Sequence, residues 1–184
     1  MPSRRAEIFD WSLLALLVLA VYATLGYART LFDLISAAGM ADVLKGGVLA
    51  LLAAIGVGLL VWMTLIARVR RVGDYAMLAA LAAAYALVLL TLSEMPVERV
   101  HLIEYGVVGL LAHRALRHRF TGGDRTLLAV LITLNVGLGD ELIQGLLPRR
   151  FYDTKDIVVN ALAGLLGVLA AAILARGRKK ESGA

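Results

Sequence analysis

Hydrophobic residues along this chain are massed in long runs rather than spread in amphipathic stripes. Six runs stand out, over 11–28, 46–67, 75–92, 97–115, 126–147 and 157–175. Each approaches the roughly 20 residues that a helix needs to cross a bilayer core of about 30 Å. The runs are continuously apolar and do not alternate with period two, and a segment surrounded by hydrocarbon has to satisfy its backbone groups within itself, so helix is predicted over strand. The expected fold is all-α: a polytopic integral membrane bundle of about six transmembrane helices. The first three runs contain no charged residue. Ionisable residues enter only from the fourth run onward.

Composition agrees with the pattern. With 60% hydrophobic and 18% charged residues and a mean hydropathy of +0.82, the chain is more apolar than a water-soluble domain of this length can conceal. Arg4 and Arg5 ahead of an apolar stretch resemble a secretory signal, but the stretch is long and Tyr27-Ala28-Arg29 makes a poor cleavage site, so a retained first helix is expected. The net charge of +5 carries a topology. With the N-terminus inside, one set of loops holds Arg4 and Arg5, the arginines of 68–71, then Arg114, Arg117, Arg119 and Arg125, and finally the basic tail from Arg176 to Lys180, whereas the other side holds few cations. The positive-inside rule therefore puts both termini in the cytoplasm. The basic excess is not a nucleic-acid signature; its second meaning is attraction to anionic headgroups. Cysteine is absent, which excludes disulfides, a thiol nucleophile and a thiolate metal site.

A charge inside a membrane helix costs about 2.5–3.5 kcal/mol on insertion scales, so each one there is a functional candidate. The fourth run opens Glu98-Arg99-Val100-His101-Leu102-Ile103-Glu104-Tyr105-Gly106, and helical spacing places Glu98, His101 and Tyr105 on one face with Glu104 beside it. The fifth run ends Asp140-Glu141-Leu142-Ile143-Gln144. Glu141 and Gln144 share a face; Asp140 points about 100° away and is expected to have a separate partner. After a loop carrying Arg149, Arg150 and Asp153, the sixth run begins with Asp156 and Asn160 on a common face. At about 1.5 Å per residue all of these fall within roughly 10 Å of the outer surface. The blander account is that the terminal residues snorkel or cap helices, and that His101, Glu141 and Asn160 form a network that merely holds the bundle together. Gly106, Gly109, Gly164 and Gly167 are read as close-packing positions. His113 and His118, among arginines at the cytoplasmic end, are read as solvated and without a role.

The order Glu98-Arg99-x-His101-x-x-Glu104-Tyr105-Gly106, Glu141-x-x-Gln144, Pro148-x-Arg150-x-x-Asp153-x-x-Asp156 and Asn160-x-x-x-Gly164-x-x-Gly167 resembles the VanZ-like family, named for a membrane protein associated with low-level teicoplanin resistance. The likeness covers 98–167. The family pattern usually opens with Asp-Lys before the histidine, and here Glu98-Arg99 keeps the charges. The resemblance implies a multi-pass bacterial envelope protein and brings no reaction with it. It suggests a division into three N-terminal helices of unassigned role (1–97), a VanZ-like core of three helices (98–176) and a basic tail (177–184).

Two functional readings stay open. In the first, an outward-facing site takes a lipid-linked or cell-wall-related anionic molecule at the outer leaflet of the bacterial cytoplasmic (inner) membrane. Arg99 and Arg150 grip phosphate or carboxylate. His101 with Glu141 or Asp156 supplies acid/base catalysis, and Glu98, Glu104, Tyr105, Gln144, Asp153 and Asn160 complete the binding surface. In the second, the chain is a non-catalytic binding or accessory protein whose polar cluster is structural or docks another envelope protein. The spacing Glu98-x-x-His101 matches half of a carboxylate-bridged di-iron site, but the second such element is missing, so no metal is expected. A transporter is disfavoured because the polar groups stop at the outer third. No cofactor is identifiable, and nucleic acid is not an expected partner.

Overall fold

The computed structural model describes residues 4–66, 71–91, 96–147 and 154–181, without the side chains of 28, 29, 45, 59, 66, 96–99 and 176–181. All regular structure among them is helical: α1 (Arg4–Ala37), α2 (Ala41–Val61, continued by a π-helical turn Trp62–Ile66), α3 (Val72–Thr91), α4 (Pro96–Leu116), α5 (Gly122–Leu146) and α6 (Thr154–Glu181). Among the described residues five stretches are long and apolar enough to cross a membrane: 4–27, 41–65, 72–91, 122–146 and 154–175. The chain is thus a helical membrane protein. α4 has the length, with 21 residues, but polar residues load both of its ends.

α1 differs from its predicted run at both ends. It begins at Arg4, so Glu7 and Asp10 belong to it, and it runs on to Ala37, for 34 residues in all. Arg29 and Asp33 look like a helix end in a hydropathy reading, yet a charge does not stop a helix; a left-handed residue does. Gly39 has φ of 72°. Its N–H bonds to Ser36 O at 3.0 Å while Met40 N–H reaches back to Ile35 O at 3.0 Å, the paired bonds of a Schellman cap.

α4 lies at the centre. It packs most extensively on α6 and also meets α1, α5 and α2, while α3 leans on α6. The expectation that small residues permit close packing holds at the α4–α6 contact. A methyl on Gly109 would strike the carbonyl oxygen of Gly164, and one on Gly167 would strike that of Gly106, so the two backbones touch directly. Above and below, Leu102, Tyr105, Val159 and Ala163 pack with Val88 and Leu89 of α3, and Val108, Ala112 and Leu116 pack with Leu14, Ala129 and Val168. Threonine hydroxyls within the helices bond to their own helix: Thr133 Oγ1 donates to Ala129 O at 2.8 Å and Thr24 Oγ1 to Val21 O at 2.8 Å.

One end of the bundle is fastened by Asp10, which is 1% exposed. Its Oδ1 accepts from Arg114 Nε at 2.9 Å, and its Oδ2 from Arg117 Nη2 at 3.1 Å and His118 Nε2 at 2.8 Å. Glu7 pairs with Arg119, and Arg125 Nε donates to His113 O at 2.7 Å. This corrects the reading of His113 and His118 as solvated: His113 is 3% exposed and the His118 side chain 2%. For His118 the reason is that α1 reaches back far enough to bring Asp10 to it; His113 lies on the inward face of α4 and is covered by packing.

Candidate functional site

At the other end of α4 its first turns meet the last turns of α5 and the first turns of α6. Each contributes polar residues at helical spacing, because an i, i+3, i+4 pattern keeps them on the face that looks inward. Tyr105 is fully buried, and its Oη donates to Asp140 Oδ2 at 2.7 Å. One turn further along α5, Gln144 Nε2 donates to Asp140 Oδ1 at 3.0 Å and lies 3.4 Å from Glu141 Oε1. His101 Nδ1 stands 3.4 Å from Asp140 Oδ2 and 4.0 Å from Glu104 Oε2. The first distance is that of an ion pair, without the alignment of a hydrogen bond. The His101 and Tyr105 rings are nearly parallel, at 5°, with centroids 6.1 Å apart.

Asp140 is therefore the hub. Both of its oxygens act as acceptors and it is completely buried, so its three neighbours take the place of the water that a carboxylate would otherwise require. Such an arrangement can hold the imidazole in one orientation, with the ring nitrogen facing Asp140 protonated and the other left for a bound molecule. Glu141 is also completely buried. Glu104, with a side chain 28% exposed, forms part of the rim. Asp156 is half-buried and within electrostatic reach of His101. Asn160 is fully buried, and neither of its amide atoms has a protein partner. Its Cβ and the Tyr105 ring both lie against Gly137, one helical turn beneath Asp140.

Of the predicted site residues, His101, Glu104, Tyr105, Glu141, Gln144, Asp156 and Asn160 are brought to this one region. Arg150 and Asp153 lie outside the described residues, as do the side chains of Glu98 and Arg99. Among the described residues no group of three or more His, Cys, Asp or Glu side chains is arranged to hold a metal ion. Among the described residues the carboxylate nearest His101 is Asp140, where Glu141 or Asp156 was expected. Asp140, expected to face a partner of its own, instead shares Gln144 with Glu141 and meets Tyr105 and His101 within the same cluster.

Two further tyrosines brace the site and were not foreseen. Tyr22 Oη donates to Val136 O at 2.8 Å, tying α1 to α5 one turn below Asp140. Tyr85 Oη sits 3.1 Å from Leu102 O and 3.3 Å from Ala163 O, bridging α4 and α6 from α3. Both come from charge-free runs, where an aromatic residue counts as apolar and only its oxygen carries the signal.

The sequence matches the family model described as VanZ/LLP1 over residues 13–175. The match includes the first three helices, which by themselves resembled only generic spans. No curated protein and no solved structure gives a match. A family match over nearly the whole length, on a helical membrane architecture that draws the motif residues of α4, α5 and α6 together, places this chain in the VanZ/LLP1 family.

Proposed function

We propose that this protein crosses the bacterial cytoplasmic membrane six times with both termini inside, and that the cluster of α4, α5 and α6 opens toward the outer leaflet. There it takes a lipid-linked or cell-wall-related molecule with an anionic headgroup, and through that handling is linked to glycopeptide (teicoplanin) resistance. Arg99 and Arg150 bind the anion. His101, positioned by Asp140, moves a proton to or from an attacking water or a leaving oxygen, in a hydrolase or transferase reaction without a covalent intermediate. Glu141 and Asp156 supply further carboxylates around the reacting group.

The observation that supports this reading best is the set His101, Tyr105 and Asp140, converging inside an apolar bundle where each polar group is costly and where cheaper packing would serve stability equally well. The saturation of Asp140 by its neighbours also favours a second reading, in which the cluster binds a headgroup or docks an envelope partner without turnover.

Liposomes holding the purified chain and headgroup-labelled lipid-linked phosphates separate the two. Under the catalytic reading His101→Gln and Glu141→Ala lower turnover about a hundredfold or more, and His101→Gln loses any effect on teicoplanin susceptibility in a host strain. Full function in His101→Gln, which keeps a hydrogen bond but not a titrating ring, selects the binding reading. Unchanged turnover and susceptibility in well-expressed alanine variants of both residues would end the proposal.

A further inference from the structure

The opposite end of the bundle carries a second polar assembly that the outer cluster does not need. Asp10 is a single buried carboxylate shared by two guanidinium groups and an imidazole. Including Glu7 and Arg119, two carboxylates face three arginines. Positive charge is in excess at a point where the apolar bundle meets the headgroup layer.

The arginines are not used up by Asp10. Their side chains are 43% exposed at Arg114 and 39% at Arg117, and each guanidinium has five N–H donors, most of which remain for an outside acceptor. Arg119 is more open still, at 71%. Asp10, itself inaccessible, fixes one edge of each fork and leaves the others facing outward, which lowers the entropy lost when an anion binds. On the flanks Ile8 and Phe9 of α1 are 56% and 59% exposed, and Phe120 beyond α4 is 38% exposed. Apolar side chains beside oriented guanidiniums match a ligand that is anionic at one end and hydrocarbon at the other.

We infer that Arg114, Arg117 and Arg119, organised by Asp10, form a binding site for the anionic phosphodiester headgroup of a membrane lipid in the leaflet at this end of the bundle. Two phosphate oxygens accept from the free guanidinium edges, and the acyl chains lie along the exposed face of α1. This site is independent of the cluster around His101 and of any reaction there.

The test is native mass spectrometry of the full chain in detergent, given equal amounts of phosphatidylglycerol and phosphatidylcholine with identical acyl chains. The wild type is expected to retain phosphatidylglycerol preferentially. The variant Asp10→Asn/Arg114→Gln/Arg117→Gln, in which no buried carboxylate is left unpaired, is expected to lose about thirtyfold of that preference while keeping its helical circular dichroism. Equal retention of the two lipids by the wild type would overturn the proposal without recourse to any variant, as would undiminished preference in the folded triple variant. Displacement of phosphatidylglycerol by inorganic phosphate at equal concentration would overturn the assignment to lipid.

Discussion

Replacing Tyr105 by phenylalanine removes one oxygen atom from a completely buried place. The ring still fills its space against Gly137, so no cavity larger than the hydroxyl results. Asp140 Oδ2 then loses the donor at 2.7 Å and retains only His101 at 3.4 Å. Water cannot replace the hydroxyl at a residue with no exposure. A hydrogen bond to a charged acceptor contributes about 1.5–3 kcal/mol, so Tyr105→Phe should destabilise the fold by about 2 kcal/mol. For a chain of this size that corresponds to roughly 4–8 °C in the unfolding midpoint. Tyr85→Phe is the internal control. Its hydroxyl shares one proton between Leu102 O and Ala163 O, at 3.1 and 3.3 Å, both helical carbonyls with other bonds. Its loss should cost only about 0.5 kcal/mol, or roughly 1–2 °C. Thermal unfolding of the two variants in one detergent, followed by circular dichroism, gives the comparison, and a cycle with Asp140→Asn should return a coupling of about 1–2 kcal/mol. Equal midpoints for the two variants, or zero coupling to Asp140, would refute the view of Asp140 as a carboxylate held by Tyr105.

At Gly109 a methyl would strike the Gly164 carbonyl, so Gly109→Ala should separate α4 from α6 and lower the midpoint by roughly 5 °C or more, whereas Gly46→Ala, into open space, should change it by less than about 1 °C; size-exclusion profiles and melts report both. Asn160→Leu removes two buried amide atoms without partners and should raise the midpoint by about 2–4 °C while abolishing ligand retention in the same preparation; lowered stability would show that the amide is already satisfied in the folded protein. Asp10→Leu leaves the buried His118 without its acceptor while the part-exposed Arg114 and Arg117 turn to solvent, and a loss of about 1–2 kcal/mol is expected, read as faster proteolysis of the α1–α4 end; unaltered resistance would mean that α1 is held by packing alone.

The fold was legible because membrane helices announce themselves: a run of apolar residues long enough to span is hard to arrange otherwise, and the described residues of all six predicted runs fall in helices, apart from Leu147 at the end of α5. The boundary at 28 misled because charge was read as termination, while the stop signal was Gly39. The site was largely legible for a related reason. His101, Glu104, Tyr105, Glu141, Gln144 and Asn160 stand out against an apolar background. The central role of Asp140 could not be read, because two adjacent acids occupy two helix faces and periodicity does not say which face meets α4. Tyr22 and Tyr85 were hidden by their apolar rings. Asp10 was invisible for a different reason: its partner Arg114 is 104 residues away in sequence, and no local pattern reports a contact at that separation.

α4 ties these observations together. It is the helix that fails to qualify as an apolar span, and also the one that the others surround. The two facts have one cause. Asp140 and Asp10 hold opposite ends of α4, through Tyr105 and His101 at one and, at the other, through Arg114 in its last turn and Arg117 and His118 just beyond, and carboxylates as buried as these two can be accommodated only where neighbouring helices shield them from lipid. Between the two ends, Gly106 and Gly109 let α6 approach backbone to backbone, which completes the shield. The low hydropathy of α4 therefore reflects its position: the surrounding helices supply the apolar surface, and the central one is free to carry the polar residues on which the site depends.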